Sequence, residues 1–261
     1  MTRLVGLGHT PSTICVFDEH WELVRRLAPL LEAVTGNASS GDIFTFHRSA
    51  APDVANTSGF GSAPHRDKPH AGPESFRADG AAMYCTVWVA LSDATPATSC
   101  LYVVPREADP SYAVAGDQLG AALEDYQSIR ALPTDAGGAC VFSHRLVHWG
   151  SRPSRPTREE RAAGAPAVPP RVAMSYALAD NAAFGLGAYF DHGRFSPFPP
   201  LPLRVALRAA QAILFSHQKP FPKGGLGYAT RLCRRGSGLF LPRYQEKVND
   251  ACQWQKFQAG R

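Results

Sequence analysis

The chain contains no run of 18 consecutive apolar residues, which argues against a transmembrane helix. Its opening stretch, "MTRLVGLGHTPSTICVFDEHW", has neither the sustained apolar core nor the small-residue cleavage site of a secretory signal, so a cytoplasmic protein is expected. No C-x-x-C pair occurs. Cys15, Cys85, Cys100, Cys140, Cys233 and Cys252 stand far apart, three of them inside apolar strand-like runs, and are expected to be buried, reduced thiols. A glycine-rich phosphate loop, an internal repeat and an alternating βαβ pattern are also missing, which argues against a nucleotide-binding α/β fold and against a solenoid.

What is present is the composition of a globular protein: 261 residues, 44% hydrophobic and 19% charged, with 22 prolines and 23 glycines that imply many turns. Lysine and arginine exceed aspartate and glutamate by 27 − 22 = 5. The positive residues are dispersed except for Arg152, Arg155, Arg158 and Arg161, and for Arg231, Arg234 and Arg235. Neither group is interleaved with aromatics, so no nucleic-acid partner is expected, and the charge suits a small anionic substrate better.

Along the chain, "FDEHWELVRRLAPLLEAVTG" sets Leu23, Leu27, Leu30, Leu31 and Val34 at helical spacing, with Asp18 as cap, a kink at Pro29 and Gly36 as stop. Strands are expected at "DIFTFH", "AAMYCTVWVALSD", "CLYVVP", "GGACVFS" and "RVAMSYALAD", the second of them the clearest because it is rich in β-branched and aromatic residues. Residues 106–136 read as an insertion with a weak helical pattern, and "RPSRPTREERAAGAPAVPP" as a loop too proline-rich for regular structure. "LPLRVALRAAQAILFSHQ" returns to helical spacing. One domain is expected, mainly β: a helical lead-in over 1–40, a core over 41–195 and a helical extension over 196–261.

Three places carry chemistry. In "GSAPHRDKPH", His65 and Asp67 are two residues apart, so in an extended segment both point to one side, where both can reach one ion, while Arg66 points away. A site of two histidines and one carboxylate then needs a further ligand from elsewhere. "GACVFSHRLVHWGS" offers His148, at the end of a strand and beside small residues, with His144 as its rival. Arg171 opens the next strand and offers a fork for a carboxylate, with Arg152 as a lesser candidate in the preceding loop. Thr86 and Trp88 share one strand face and could line a cosubstrate pocket, although an ordinary strand former and a core tryptophan are the plainer reading. Arg66, Lys68 and His70 flank the first pair and could meet an anionic substrate, or stand as solvated loop charges.

In order, "HRD", "YCTVWVALSDATPATSCLYVVP", "VFSHRLVHWGS" and "PRVAMSYAL" resemble the phytanoyl-CoA dioxygenase-like family of Fe(II)- and 2-oxoglutarate-dependent oxygenases, over roughly residues 40–180. The resemblance implies a double-stranded β-helix, a cupin-like jelly roll with α-helices outside it. It implies Fe(II), 2-oxoglutarate and O2 as cofactor and cosubstrates, with His65, Asp67 and His148 as iron ligands and Arg171 on the distal carboxylate of 2-oxoglutarate. The activity implied is hydroxylation of a small molecule's C–H bond as 2-oxoglutarate is decarboxylated to succinate. Asp67 departs from the pattern of related halogenases, which carry a small residue there. Two departures from the family pattern concern loops. Many members have Asn-Gly where this chain has Thr98-Ser99-Cys100, and Gly-Ser-His where it has Arg106-Glu107-Ala108. Two other readings use the same ligand set or fold: a zinc-dependent hydrolase, which leaves Arg171 without a task, and a non-catalytic jelly-roll binding protein.

Overall fold

The computed structural model describes residues 2–7, 9–48, 63–116, 119–154, 157–164, 168–180, 189–191, 194–216, 221 and 224–259. Residues 49–62 lie outside them. The chain divides into two compact units, one of Met1–Pro11 and Ile43–Leu178, the other of Ser12–Asp42 and Ala179–Arg261.

The first unit is built on antiparallel sheets. A four-stranded sheet has the order β1 (Ala38–Arg48), β7 (Arg171–Ala179), β2 (Tyr84–Ala90), β5 (Ala139–Ser143), and a three-stranded sheet the order β4 (Arg130–Leu132), β3 (Leu101–Val103), β6 (His148–Gly150). β2 has the β-branched and aromatic run that a half-buried pleated surface favours, and it pairs antiparallel with β5 so that Thr86 faces Phe142 and Trp88 faces Cys140. Trp88, Phe142 and Ala173 from the larger sheet meet Leu101 from the smaller one in a single apolar cluster with Ala90, Ala94 and Cys100. Burying each large side chain of that kind stabilises the unit by about 1.5–3 kcal/mol.

Between β5 and β6 the chain leaves one sheet and enters the other in four residues, His144 to Val147, held by the Leu146 N–H on the Ser143 carbonyl at 3.1 Å. His148 therefore opens a new strand, β6, rather than closing the preceding one as the sequence suggested. The polar Ser-His-Arg segment takes a turn that strand periodicity does not reveal. The short helix α1 (Thr2–Gly6) also belongs to this unit, as do two helices in the connections, α3 (Leu119–Glu124) and α4 (Arg158–Ala162). α4 lies in the segment expected to be irregular. Thr157 and Glu160 cap each other there, the Glu160 N–H donating to Thr157 Oγ1 at 3.1 Å and the Thr157 N–H to Glu160 Oε2 at 2.6 Å. That reciprocal box is a helix start strong enough to act between prolines.

The second unit is helical. α2 (Asp18–Thr35) runs through Pro29 and stops at Gly36, whose φ of 66° puts it in the left-handed region. Its buried face is His20, Trp21, Val24 and Leu31, while Leu30 and Val34, expected in the apolar stripe, are 62% and 72% exposed. Asp18 does not cap the helix. Its carboxylate accepts from Arg204 of α5 (Leu201–Leu214) at 2.5 Å. α6 (Gly225–Gly236) packs on α5 at Gly236, where a Cβ would fall 2.4 Å from the Pro202 carbonyl oxygen. α7 (Pro242–Ala259) follows, with Tyr244 stacked on Tyr189 at 3.8 Å between ring centroids. Among the described residues no helix is long and apolar enough to cross a membrane. The cysteines are free thiols, with Cys140 and Cys252 only partly buried.

Candidate metal centre

His65 and His148 are brought together by their backbones. Each N–H donates to the other's carbonyl, at 3.1 and 3.0 Å, so a two-residue antiparallel bridge fixes the segment carrying His65 against β6. Their rings lie 4.4 Å apart between centroids. In both, Nδ1 sits on a carbonyl two residues upstream, Ala63 at 2.8 Å for His65 and Leu146 at 3.0 Å for His148. A neutral imidazole with its proton on Nδ1 presents the lone pair of Nε2, so these contacts select the ligating tautomer at both residues. Asp67 completes the group, its Oδ1 standing 3.8 Å from Nε2 of each histidine.

One ligand atom from each of the three residues lies within 4.8 Å of the others. Two imidazole nitrogens and one carboxylate oxygen suit a borderline divalent ion that keeps open coordination positions. Exposure falls from His65, with 42% of its side chain accessible, through Asp67 at 22% to His148 at 8%, so one side of the group is open and the other closed. The Phe142 ring, 4.6 Å from that of His148, forms part of the closed side. Burial pushes the His148 imidazole below its ordinary range; the Asp67 carboxylate opposes this and His65 adds to it. The neutral form that results is the one a metal needs.

Asp67 is held from behind, with Thr86 Oγ1 donating to its Oδ2. Thr86, read from the sequence either as a lining residue of a cosubstrate pocket or as an ordinary strand former, touches the carboxylate of the candidate metal group. Two residues along the same face of β2, the Trp88 ring lies 5.3 Å from the guanidinium carbon of Arg171. Arg171 is 2% exposed, and its Nη2 donates to Ser99 Oγ at 3.3 Å.

The rival histidine has a different position. His144 is fully buried with Nδ1 on the Tyr84 carbonyl at 3.0 Å and Nε2 on Ser75 Oγ at 2.8 Å, so both ring nitrogens are engaged by the protein. Burial is also the main cause that lowers its pKa. Arg152 is exposed.

Arg66 is neither a solvated loop charge nor available to a substrate. It is 3% exposed and grips Asp109 through two bonds, Nη1 to Oδ2 at 2.6 Å and Nη2 to Oδ1 at 2.9 Å. Alternation in an extended segment sends Arg66 into the protein once His65 and Asp67 face the open side. Lys68 lies with Nζ 4.7 Å from the Tyr84 ring centroid, and His70 is exposed.

Two residues that support the centre were not picked out from the sequence. Arg145, wholly buried, donates to the carbonyls of Pro69 at 2.5 Å, Tyr112 at 3.0 Å and Ser111 at 3.0 Å, binding the segment after Asp67 to the 111–116 loop. Asp109 is the partner of Arg66 and also accepts from the Ser111 N–H at 3.1 Å. Neither sits at a spacing that distinguishes it from a surface charge; only the long-range contact does.

The sequence model of the family described as phytanoyl-CoA dioxygenase (PhyH) matches residues 12–159, more than half of the chain. No curated protein sequence matches it. Among solved structures, AviO1 from Streptomyces viridochromogenes Tue57 is 20% identical, with 60% of this chain and 57% of AviO1 covered at a TM-score of 0.40. The epimerase SnoN in complex with Fe3+, alpha ketoglutarate and nogalamycin RO is 21% identical, with coverages of 60% and 56% and a TM-score of 0.40. EctD from S. alaskensis with 2-oxoglutarate and 5-hydroxyectoine is 16% identical, with coverages of 62% and 52% and a TM-score of 0.39. The match thus spans 52–57% of the length of these three structures.

Proposed function

The chain belongs to the phytanoyl-CoA dioxygenase family, and from that premise we propose that it is an Fe(II)- and 2-oxoglutarate-dependent dioxygenase that hydroxylates a C–H bond of a small molecule. The observation that carries this reading is the convergence of His65 Nε2, Asp67 Oδ1 and His148 Nε2, each prepared by a bond to the far side of its side chain. Bound there, iron would supply the activation of O2, one oxygen atom entering succinate and the other the hydroxylated product as CO2 leaves 2-oxoglutarate. The catalytic core is a double-stranded β-helix, for which the two antiparallel sheets and the sheet-to-sheet crossing just before His148 are the support.

The work of the protein's own residues is to bind and to orient. Thr86 keeps the Asp67 carboxylate turned so that Oδ1 faces the two histidines. Arg171 receives the distal carboxylate of 2-oxoglutarate, its charge resting against the Trp88 face. Thr86 and Trp88 are two residues apart on β2, a rise of about 6.6 Å, on the order of the end-to-end length of a five-carbon dicarboxylate. That strand therefore spans the distance between the metal end and the Arg171 end of one cosubstrate. The buried, closed side at His148 and Phe142 keeps water from that flank, while the open side at His65 faces the prime substrate. That substrate is a small molecule, with an anionic group favoured by the excess of 5 positive charges.

The test is anaerobic. Protein loaded with Fe(II) is titrated with 2-oxoglutarate and followed by the visible metal-to-ligand charge-transfer band, then exposed to O2 and assayed for succinate. A saturable band and succinate formation are expected, both strongly weakened in Arg171→Ala. A wild-type protein that binds Fe(II) or Zn²⁺ but shows no 2-oxoglutarate band would overturn the reading in favour of metal-dependent hydrolysis.

A further inference from the structure

Ser99 has a φ of 82°, the only positive φ at a residue other than glycine among the described residues. The left-handed region is unfavourable for a residue with a Cβ, and a serine kept there is held by its surroundings. The turn around it is tightly bonded: the Cys100 N–H reaches the Thr95 carbonyl at 2.8 Å, and Thr98 Oγ1 donates to the Asp93 carbonyl at 2.9 Å. Glycine would meet the same φ without strain, so the side chain itself calls for an explanation.

The Ser99 side chain is buried and makes two contacts of opposite sense. Its hydroxyl donates to the Ser151 carbonyl, and its oxygen accepts from Arg171 Nη2 at 3.3 Å. A serine hydroxyl has one proton, and with that proton on Ser151 a lone pair is left for the guanidinium. Ser151 directly follows β6, the strand opened by His148. Ser99 thus ties the arginine on β7 to the strand that carries a metal-centre histidine, across a separation of 72 residues to Arg171 and 52 to Ser151.

We propose that Ser99 is a positioning residue for 2-oxoglutarate: it fixes the direction of the Arg171 fork relative to the His65, Asp67 and His148 group, and so sets the affinity for the distal carboxylate. This rests on the dioxygenase reading above. The Trp88 ring restrains Arg171 on one face, but a cation resting on a ring can still rotate in its plane. A directional bond at Nη2 adds a restraint in that plane before the cosubstrate arrives, which is how a supporting group raises affinity without touching the ligand.

Ser99→Ala removes the hydroxyl and keeps the strained backbone; Ser99→Gly removes the hydroxyl and relieves the strain. Each variant, loaded anaerobically with Fe(II), is titrated through the charge-transfer band with 2-oxoglutarate and with 2-oxobutyrate, which lacks the distal carboxylate. The Kd for 2-oxoglutarate is expected to rise about tenfold in both, the value of one hydrogen bond to a charged group, while that for 2-oxobutyrate stays within about twofold of wild type. The thermal midpoint of Ser99→Gly should be at or above that of Ser99→Ala. Unchanged 2-oxoglutarate affinity in Ser99→Gly would overturn the role of Ser99 and leave the dioxygenase reading standing. Equal losses for both oxo acids would also overturn it, by assigning Ser99 to the fold alone. A wild type that binds neither oxo acid would remove both proposals together.

Discussion

Thr86 Oγ1 donates a hydrogen bond to Oδ2 of Asp67, from the middle of β2 to a segment 19 residues upstream. The contact joins β2 to the segment that carries His65, and it decides which oxygen of the carboxylate faces the histidines. Thr86→Val keeps the shape and removes the donor, leaving Asp67 free to rotate. Metal affinity should fall by about 10–100-fold, the usual effect of removing an outer partner of a ligand. Competition titration with a chromogenic chelator measures it, and an unchanged affinity would show that the bond does not orient the ligand.

The two histidines that follow β5 should separate cleanly. His148→Ala is expected to abolish stoichiometric metal binding while the circular dichroism spectrum stays that of the wild type. His144→Ala should keep the metal and lose stability, by roughly 2–4 kcal/mol, because it leaves Ser75 and the Tyr84 carbonyl without their buried partner and opens a cavity. Metal content by mass spectrometry, set beside urea unfolding, distinguishes the two outcomes.

The Arg66–Asp109 pair makes a prediction about folding. Both side chains are wholly buried, and removing one charge leaves the other unpaired in a low dielectric. Asp109→Leu alone should cost about 3–5 kcal/mol, whereas Arg66→Met with Asp109→Leu should recover much of that loss. If the double variant is no more stable than the single, Arg66 is held chiefly by its other bond, at 2.5 Å, to the Arg145 carbonyl.

His20 predicts a pH dependence for the helical unit. Burial, with the nearby Arg204 charge adding to it, draws its pKa from 6.5 down to about 4. The unfolded chain then binds more protons than the folded one between those values, so stability is fully present above about pH 6.5 and declines as the pH falls towards 4. His20→Phe removes the titration and keeps a ring beside Trp21, so its stability should depend less on pH across that window. Urea midpoints at a series of pH values provide the comparison, and parallel profiles for variant and wild type would count against the assignment.

How far the sequence went can be judged residue by residue. Alternation put His65 and Asp67 on one side and Arg66 on the other, and β-branched and aromatic content marked β2, because both follow from local geometry. The metal group adds His148, 81 residues beyond Asp67 in the chain, whose place was suggested by the residues around it. The sequence did not reveal that His148 starts β6 rather than ending β5, since a four-residue polar turn has no periodicity. The capping box at Thr157 and Glu160 could have been read in advance, but the surrounding prolines concealed it.

By itself, then, the sequence determined the residue types at the centre, their local facing and the family to which they belong, because these depend on order and near-neighbour sterics. Only the tertiary structure decided what each side chain's second atom would touch. It gave His144 to Ser75 and Tyr84, Arg66 to Asp109, Thr86 to Asp67, and Ser99 to both Ser151 and Arg171. Those partners are 19 to 72 residues apart. Desolvation fixes them: a buried polar atom must find a complement wherever the packed chain offers one, and separation along the sequence does not constrain that choice.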